Sequence, residues 1–378
     1  MYVSFIQLVF LWVGANLGKS YPTAFQLSFQ GNSTGAPNAP LPGIPAITSQ
    51  SQYQHLQNTN TALAYLDTFF DWNTATYRGS GMWNTAAALD MFIIYSTFAQ
   101  SSKYLDVMQA VFHRYNFNFN NKYNDDMGWW CITACEGYQV TNDSNYLDTA
   151  KQLYKEMSWA WDTNHCNGGI YWLNGNPYKN SITAGLYLVS ALKLYETTQD
   201  NWYLSESNKI LNWFYATGMI RSDYLITDGI DNNCNPNGLG FTYSQGIMIG
   251  AFHKFYKLTG NYSQLQMANN IAKVSMQYFS DANGILFDPT DNPTKNPPDA
   301  DSASFKGIYM RYLFELYQET RDGTIKDFIN KQGDVIWNKA RDPVTGNIGV
   351  SWTQISPASN SVTLMSAITG LLTQAMIQ

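Results

Sequence analysis

The phrase YQVTNDSNYL at Tyr138 returns as YETTQDNWYL at Tyr195, YKLTGNYSQL at Tyr256 and YQETRDGTIK at Tyr317, at spacings of 57, 61 and 61 residues. A looser copy, FAQSSKYL, begins at Phe98. Self-similarity at a near-constant period restricts a chain to one supersecondary unit used several times. Each copy closes a run of apolar residues at helical spacing and opens another. The Thr-x-Asp/Asn in the middle reads as a stop followed by a cap, a side-chain oxygen that accepts from the free N–H groups of the next helix.

Divided at these points, the chain predicts an all-α fold of about twelve helices, near 52–72, 83–99, 103–116, 127–141, 145–162, 180–197, 201–217, 243–259, 262–279, 302–320, 324–340 and 359–376. No run of strand-like alternation interrupts them. Even-numbered helices such as NTAAALDMFIIYSTFA and SITAGLYLVSALKLY are small and apolar all round, the pattern of an inner layer. Odd-numbered ones such as NYLDTAKQLYKEMSWAWD keep a polar face. Six hairpins with small residues inside and amphipathic helices outside predict an (α/α)6 barrel over residues 51–378. The links 73–82, 163–179, 218–242 and 280–301 far exceed the usual length of about 4–6 residues. All precede inner helices, so all belong at one end of the barrel, where function is expected.

Charged residues make up 13% of the chain, about half the usual share of roughly 25%. Aromatics make up 15%, with 12 Trp and 26 Tyr. That balance suits neutral, ring-shaped, hydroxyl-rich ligands, because sugar C–H faces stack on aromatic rings. A net charge of −6 without a Lys/Arg cluster excludes nucleic acid. Residues 1–20 read as a secretory signal peptide whose apolar run, Val3 to Val13, is too short to span a bilayer. Residues 21–50, rich in Gly, Pro, Ser and Asn, read as a flexible arm. Sequons at Asn32, Asn142 and Asn261 accord with a secreted or cell-wall glycoprotein. The C-terminal segment lacks the polar spacer and hydrophobic tail of a lipid anchor. Nothing marks an oligomer, so a monomer is expected.

Four cysteines allow three pairings. A staple between loops gains most, which favours Cys166 with Cys234 and leaves Cys131 and Cys135 buried and reduced. Metal-ligand spacing is absent, and four scattered histidines support neither zinc nor a Ser-His-Asp triad.

The stretch YNDDMGWW, residues 123–130, sets Asp125 and Asp126 side by side just before an inner helix. The plain explanation is capping, since Asp is a favoured N-cap. Three features point further: the place at the loop end, the neighbouring Trp129 and Trp130, and the scarcity of charge elsewhere. Glycoside hydrolysis needs two carboxyls about the scissile bond, roughly 5 Å apart for retention and roughly 6.5–9.5 Å for inversion. Adjacent residues favour the shorter distance. Burial and a neighbouring carboxylate raise the pKa of an acid, while a helix N-terminus lowers it, and that balance leaves the order of roles open.

Five stretches in succession, NDDMGWW, WDTNHCNGGIYW (161–172), YKNSIT (178–183), FTYSQG (241–246) and FKGIYMRYL (305–313), resemble the motifs of glycoside hydrolase family 76, the endo-α-1,6-mannanases and related fungal cell-wall proteins. The resemblance runs from about residue 52 to the C-terminus. It implies an (α/α)6 barrel, retaining chemistry on an α-1,6-mannan backbone, Asp125 as nucleophile, Asp126 as general acid/base, and no metal or organic cofactor. Three positions depart from the pattern: Ser181, Phe241 and Ser244, where such proteins commonly carry Ala, Trp and Asn. Lys179, Asn180, Tyr243, Gln245 and Lys306, at the starts of inner helices, are candidates for sugar hydroxyls. Asp228 is another, although Asp-Gly is also a plain turn signal. Trp129 and Trp172 are candidate stacking platforms, with Trp130 assigned to the core. Arg311 is expected to pair with an acid inside the barrel. The leading expectation is a secreted endo-acting hydrolase. A transglycosylase sharing the covalent intermediate and a non-catalytic mannan-binding protein are the alternatives, and the retained acid pair argues against the last.

Overall fold

The computed structural model describes residues 41–378; the expected signal segment 1–20, most of the 21–50 arm and the Asn32 sequon lie outside the described residues. The end of the arm is docked: Leu41 is buried, and Ser49 caps the first helix by accepting from the Gln52 N–H. The helices are α1 (Gln50–Leu66), α2 (Met82–Ala99), α3 (Lys103–Arg114), α4 (Asn124–Thr141), α5 (Ser144–Ser158), α6 (Ser181–Thr198), α7 (Asn201–Ala216), α8 (Thr242–Thr259), α9 (Tyr262–Tyr278), α10 (Ala300–Thr320), α11 (Gly323–Val335) and α12 (Ser361–Met376).

The repeated phrase is a helix-to-helix corner. Asn142, Gln199, Gly260 and Arg321 each adopt the left-handed conformation at a helix C-terminus. Each donates its N–H to the carbonyl of the tyrosine that opens the phrase, Tyr138, Tyr195, Tyr256 or Tyr317. The next residue, Asp143, Asp200, Asn261 or Asp322, caps the following helix with its side chain. In each corner the phrase's threonine accepts from the N–H of that cap, at 3.2–3.3 Å. One local recipe thus makes four of the short turns at the closed end.

The inner helices α2, α4, α6, α8, α10 and α12 each pack on the next, and α12 packs on α2, closing a ring. The odd-numbered helices lie against them: α3 on α2, α5 on α4, α7 on α6, α9 on α8, and α1 and α11 on α12. Small residues let the ring tighten. A Cβ at Gly307 would stand 2.7 Å from Ser366 Cα, and one at Gly246 2.9 Å from Tyr309 Cα, so neither position admits a side chain.

Four helix ends differ from expectation by three residues or more: besides the two that follow, α5 stops at Ser158, four residues short, and α11 at Val335, where a π-helical turn continues over Ile336–Ala340. The first helix stops at Leu66, because Asp67–Phe69 tightens to a 3-10 turn and Phe70 then pairs with Tyr77 in a hairpin of β1 (Phe70–Asp71) and β2 (Thr76–Tyr77). Helix α4 starts three residues early, at Asn124, whose N–H donates to Trp172 O at 2.9 Å. The remaining strands, β3 (Lys179–Asn180), β4 (Gly229–Ile230) and β5 (Pro236–Asn237), form a small antiparallel sheet of the loop end in the order β3-β4-β5.

About ten residues down the inner helices from that end, or roughly 15 Å at 1.5 Å per residue, lies a buried ionic network. Asp90 of α2, Glu136 of α4, Lys193 of α6 and Arg311 of α10 contribute to it. Arg311 meets Asp90 Oδ2 at 2.5 Å through Nε and Glu136 Oε1 at 2.8 Å through Nη2. Lys193 closes on Glu136. Arg311 therefore takes the interior acid partners expected of it. Among the described residues no helix is long and apolar enough to cross a membrane.

Candidate active site

Asp125 and Asp126 occupy the first turn of α4, not the cap; the N-cap residue is Tyr123, which makes no side-chain cap bond. The capping explanation therefore fails for both. Asp125 is tied down: its Oδ2 accepts from the Trp172 indole N–H at 2.9 Å and its Oδ1 from the Asp126 backbone N–H at 3.0 Å. Among the described residues no protein donor reaches the Asp126 carboxyl. Both residues are half-buried.

The electrostatics separate the two. Burial pushes Asp125 up to about 6, against the stabilising Trp172 and backbone donors. Burial, then the charge of Asp125, then that of Asp301, push Asp126 up to about 7. Helix dipoles stabilise anions at this position, so the upward shifts reflect desolvation and like charge prevailing over the helix terminus. The carboxyl with donors ionises first, and the one without keeps its proton.

Aromatic rings floor the site. Trp83 of α2 stacks on Trp129 of α4 at 5.8 Å between centroids, and Tyr243 of α8 stacks on Phe305 of α10 at 3.9 Å. Trp83 also meets Tyr243 and Phe305 at 6.5 and 6.4 Å. Trp129 is only 4% exposed, so it supports the floor rather than offering an open face. Trp130 is fully buried against Phe119 at 3.8 Å, in the core as expected. Trp172 is half-buried and serves Asp125 through its N–H.

Several sequence candidates sit in loop scaffolding. Lys179 is 0% exposed; its ammonium donates to Asp162 Oδ2 at 3.0 Å, to the Asp162, His165 and Gly168 carbonyls, and so knits loop 159–180 together. Asn180 caps α6 by accepting from the Thr183 N–H. Gln245, also 0% exposed, clamps the Ile226 N–H and carbonyl at 2.9 Å each. Lys306 is buried between Asp291 Oδ2 and Val350 O, both at 2.6 Å. Asp228 accepts from the Tyr178 hydroxyl. For Lys179, Gln245 and Lys306, burial and protein partners correct the expectation of sugar-facing side chains. Of the three departures from the motif pattern, Ser181 and Ser244 are fully buried with unpartnered hydroxyls. Only Phe241 meets the mouth, 5.5 Å from Phe305.

Trp83 and Asp301 were not singled out from sequence. Trp83 Nε1 donates to Asp301 Oδ1 at 2.7 Å across 218 residues of sequence. Asp301 sits in the first turn of α10 as the acid pair sits in that of α4. That shared position was the available signal.

Cys166 and Cys234 form a disulfide, Cα–Cα 5.3 Å, joining loop 159–180 to loop 217–241. Cys131 and Cys135 are buried and free. Asn142 and Asn261 are exposed at the closed end. Asn261 uses Oδ1 to cap α9, which leaves Nδ2 open for a glycan.

A ring of paired helices with two consecutive carboxyls in an aromatic-floored mouth defines an (α/α)6 barrel of the carbohydrate-active kind. The chain belongs to Glycosyl hydrolase family 76, whose profile matches residues 48–378. It is 27% identical over 272 residues to the mannan endo-1,6-alpha-mannosidase DFG5 of Candida albicans, covering 64% of this chain and 60% of that one. The chain spans about half to three fifths of the length of curated relatives that it matches. The GH76A alpha-1,6-mannanase from Salegentibacter sp. HEL1_6 shares the fold, with a TM-score of 0.76 and 23% identity over 86% of this chain and 100% of that one. An inactive variant of that mannanase, substituted at two consecutive aspartates and bound to alpha-1,6-mannotetrose, matches with a TM-score of 0.76 and 22% identity over 87% and 100%.

Proposed function

We propose that this protein is a secreted, retaining endo-glycosidase that hydrolyses α-1,6-mannosidic bonds in mannan. The observation that carries the reading is the unequal treatment of two neighbouring carboxyls, one held by two donors and one left free between negative charges. Asp125 as nucleophile attacks the anomeric carbon while Asp126 gives its proton to the departing oxygen. Asp126, now ionised, then takes a proton from the water that releases the sugar from Asp125. Consecutive Cα atoms are about 3.8 Å apart and successive helical side chains diverge by about 100°. Carboxyls on neighbouring residues suit the roughly 5 Å spacing of retaining enzymes better than the longer spacing of inverting ones. The names of the family relatives support mannan as substrate. The disulfide and the two exposed sequons support an oxidising, extracellular or cell-wall location. Asp228, Tyr243 and Trp172 remain the side chains proposed to meet the chain of sugars.

The test is turnover of linear α-1,6-mannan by the purified protein, with product configuration followed by NMR. Release of α-configured ends, lost in Asp125→Asn and Asp126→Asn, supports the reading. Initial release of β-configured ends overturns retention, and tight binding without turnover by the unaltered protein overturns the enzyme reading.

A further inference from the structure

At the loop end ahead of α10 lies a cavity of about 450 Å³, walled by Phe241, Phe305, Asn292, Lys295, Asp299 and Asp301. Asp301 is its one acidic side chain from the first turn of an inner helix. Trp83 fixes Oδ1 at 2.7 Å, and Oδ2 has no protein partner among the described residues. A carboxylate held by one oxygen and open at the other is a preorganised acceptor for hydroxyl groups, as hydrogen bonds to an ionised acceptor are about twice as strong as neutral ones. The aromatic wall of Phe241 and Phe305 supplies a stacking surface next to it.

The side of the pair on which this cavity lies follows from its ties. Asp125 is drawn toward Trp172, in the loop before α6. Asp126 has no such tie among the described residues; it shares a face of α4 with Trp129, one turn on, and Trp129 stacks on Trp83, which holds Asp301, whose charge acts on both carboxyls. The acid/base serves the oxygen that leaves or enters, so the cavity on its side is where the leaving or incoming sugar rests.

We propose that Asp301, held by Trp83, is a third working carboxylate that binds a mannose hydroxyl on the acceptor side and sets how well a sugar competes with water for the glycosyl-enzyme. This deepens the α-mannosidase reading and rests on it. In the transfer step the acceptor's primary hydroxyl oxygen bonds to the anomeric carbon, the bond from that carbon to Asp125 breaks, and the hydroxyl proton passes to Asp126. In hydrolysis, water takes the acceptor's place with the same proton transfer. No further reactant is needed.

The experiment gives the full-length protein a linear α-1,6-mannooligosaccharide donor and rising labelled α-1,6-mannobiose, and reads extended label and new reducing ends separately. Asp301→Asn raises the acceptor concentration for half-maximal transfer roughly tenfold, the scale of one lost hydrogen bond to a charged group, and changes the maximal rate less. It also moves the alkaline limb of the pH profile to lower pH, because Asp126 loses a negative neighbour. The other titratable groups facing the pair and cavity are Tyr243 on α8, Asp228 in the loop before it, and Lys295 and Asp299 ahead of α10; α2 offers only Trp83 and Asn84. Trp83→Phe frees Asp301 but keeps its charge, so it weakens acceptor use and leaves the limb in place. Trp83→Phe keeps the idea open to refutation if Asp301→Asn folds poorly. Unchanged acceptor dependence in both variants overturns the proposal. So does an unaltered enzyme that hydrolyses donor and extends no label at any acceptor concentration. Absence of any turnover by the unaltered protein removes the α-mannosidase reading itself, a result distinct from turnover that Asp301 does not influence.

Discussion

Two sets of carboxyls share the inside of this barrel, and they are treated in opposite ways. At the mouth, Asp125 and Asp126 meet no basic partner among the described residues, and burial raises both, to about 6 and about 7. About three helical turns deeper on the same helix α4, Glu136 is more buried still. Burial alone would push it up, yet Lys193 and Arg311 prevail and hold it at about 2. Asp90 alongside is pushed well up by burial in spite of Arg311. The same side-chain type in one ring of helices is a reagent where its charge is uncompensated and a structural ion where it is matched. The separation is geometric: α4 shows its first turn to the open end and its fourth to the packed centre.

The largest effect that can break this contrast is on turnover. Asp126→Asn removes the proposed general acid and lowers kcat by about 10²–10⁴-fold, and Asp125→Asn removes the proposed nucleophile and lowers it further. Neither loses folding stability in thermal melts, because each deletes a charge that burial disfavours. A large drop in Tm for either would show that the pair is structural after all.

Next comes the deep network. Arg311→Met leaves Glu136 with Lys193 alone, and breaking a buried ion set by removing one partner costs about 3–5 kcal/mol. Urea unfolding reads this directly. A loss below about 1 kcal/mol would mean that water, not protein, satisfies the network. A cavity of about 20 Å³ among Asn84, Trp129, Asp90 and Arg311 has room for one such water.

How much of this contrast was legible beforehand depends on the range of each interaction. The corners were readable because Thr, Asp and Asn act within two or three residues of themselves. The acid pair was readable by its place before an inner helix, although its helix begins earlier than periodicity implied: Trp172, 48 residues on, receives Asn124 through its carbonyl. Lys179, Gln245 and Lys306 were misjudged because their partners lie far along the chain: Lys179 turns back onto Gly168, 11 residues away in its own loop, and Lys306 reaches Val350, 44 residues away. A polar residue at an inner-helix start is as useful for tying a loop as for holding a sugar, and sequence alone weighs the two equally. Trp83 escaped notice because its partner, Asp301, comes from the opposite end of the chain.

The disulfide tests whether the mouth is held as firmly as the centre. Cys166→Ser releases loop 159–180 from loop 217–241 across 68 residues. Such a closure contributes roughly 2–4 kcal/mol. Loss of that size in Tm, with turnover lowered as Trp172 loosens, keeps the loops as part of the site. Unchanged turnover would assign the bridge to stability alone.

The smallest effect is the most discriminating. Activity needs Asp125 ionised and Asp126 protonated, so the profile rises as pH passes about 6 and falls as it passes about 7. Trp172→Phe keeps the ring and removes the N–H that stabilises the Asp125 anion. The Asp125 pKa then rises, and the acid limb moves to higher pH. The alkaline limb, which belongs to Asp126, stays or shifts up slightly, since Asp125 remains charged there. With the limbs closer together, peak kcat falls as well, because fewer molecules hold the productive protonation state. If Asp126 were instead the nucleophile and Asp125 the acid, the two limbs would move in the same way, because they belong to the pair, but peak kcat would rise as more molecules held a protonated Asp125 beside an ionised Asp126. The direction in which the peak kcat of a single variant moves therefore decides which member of the pair attacks.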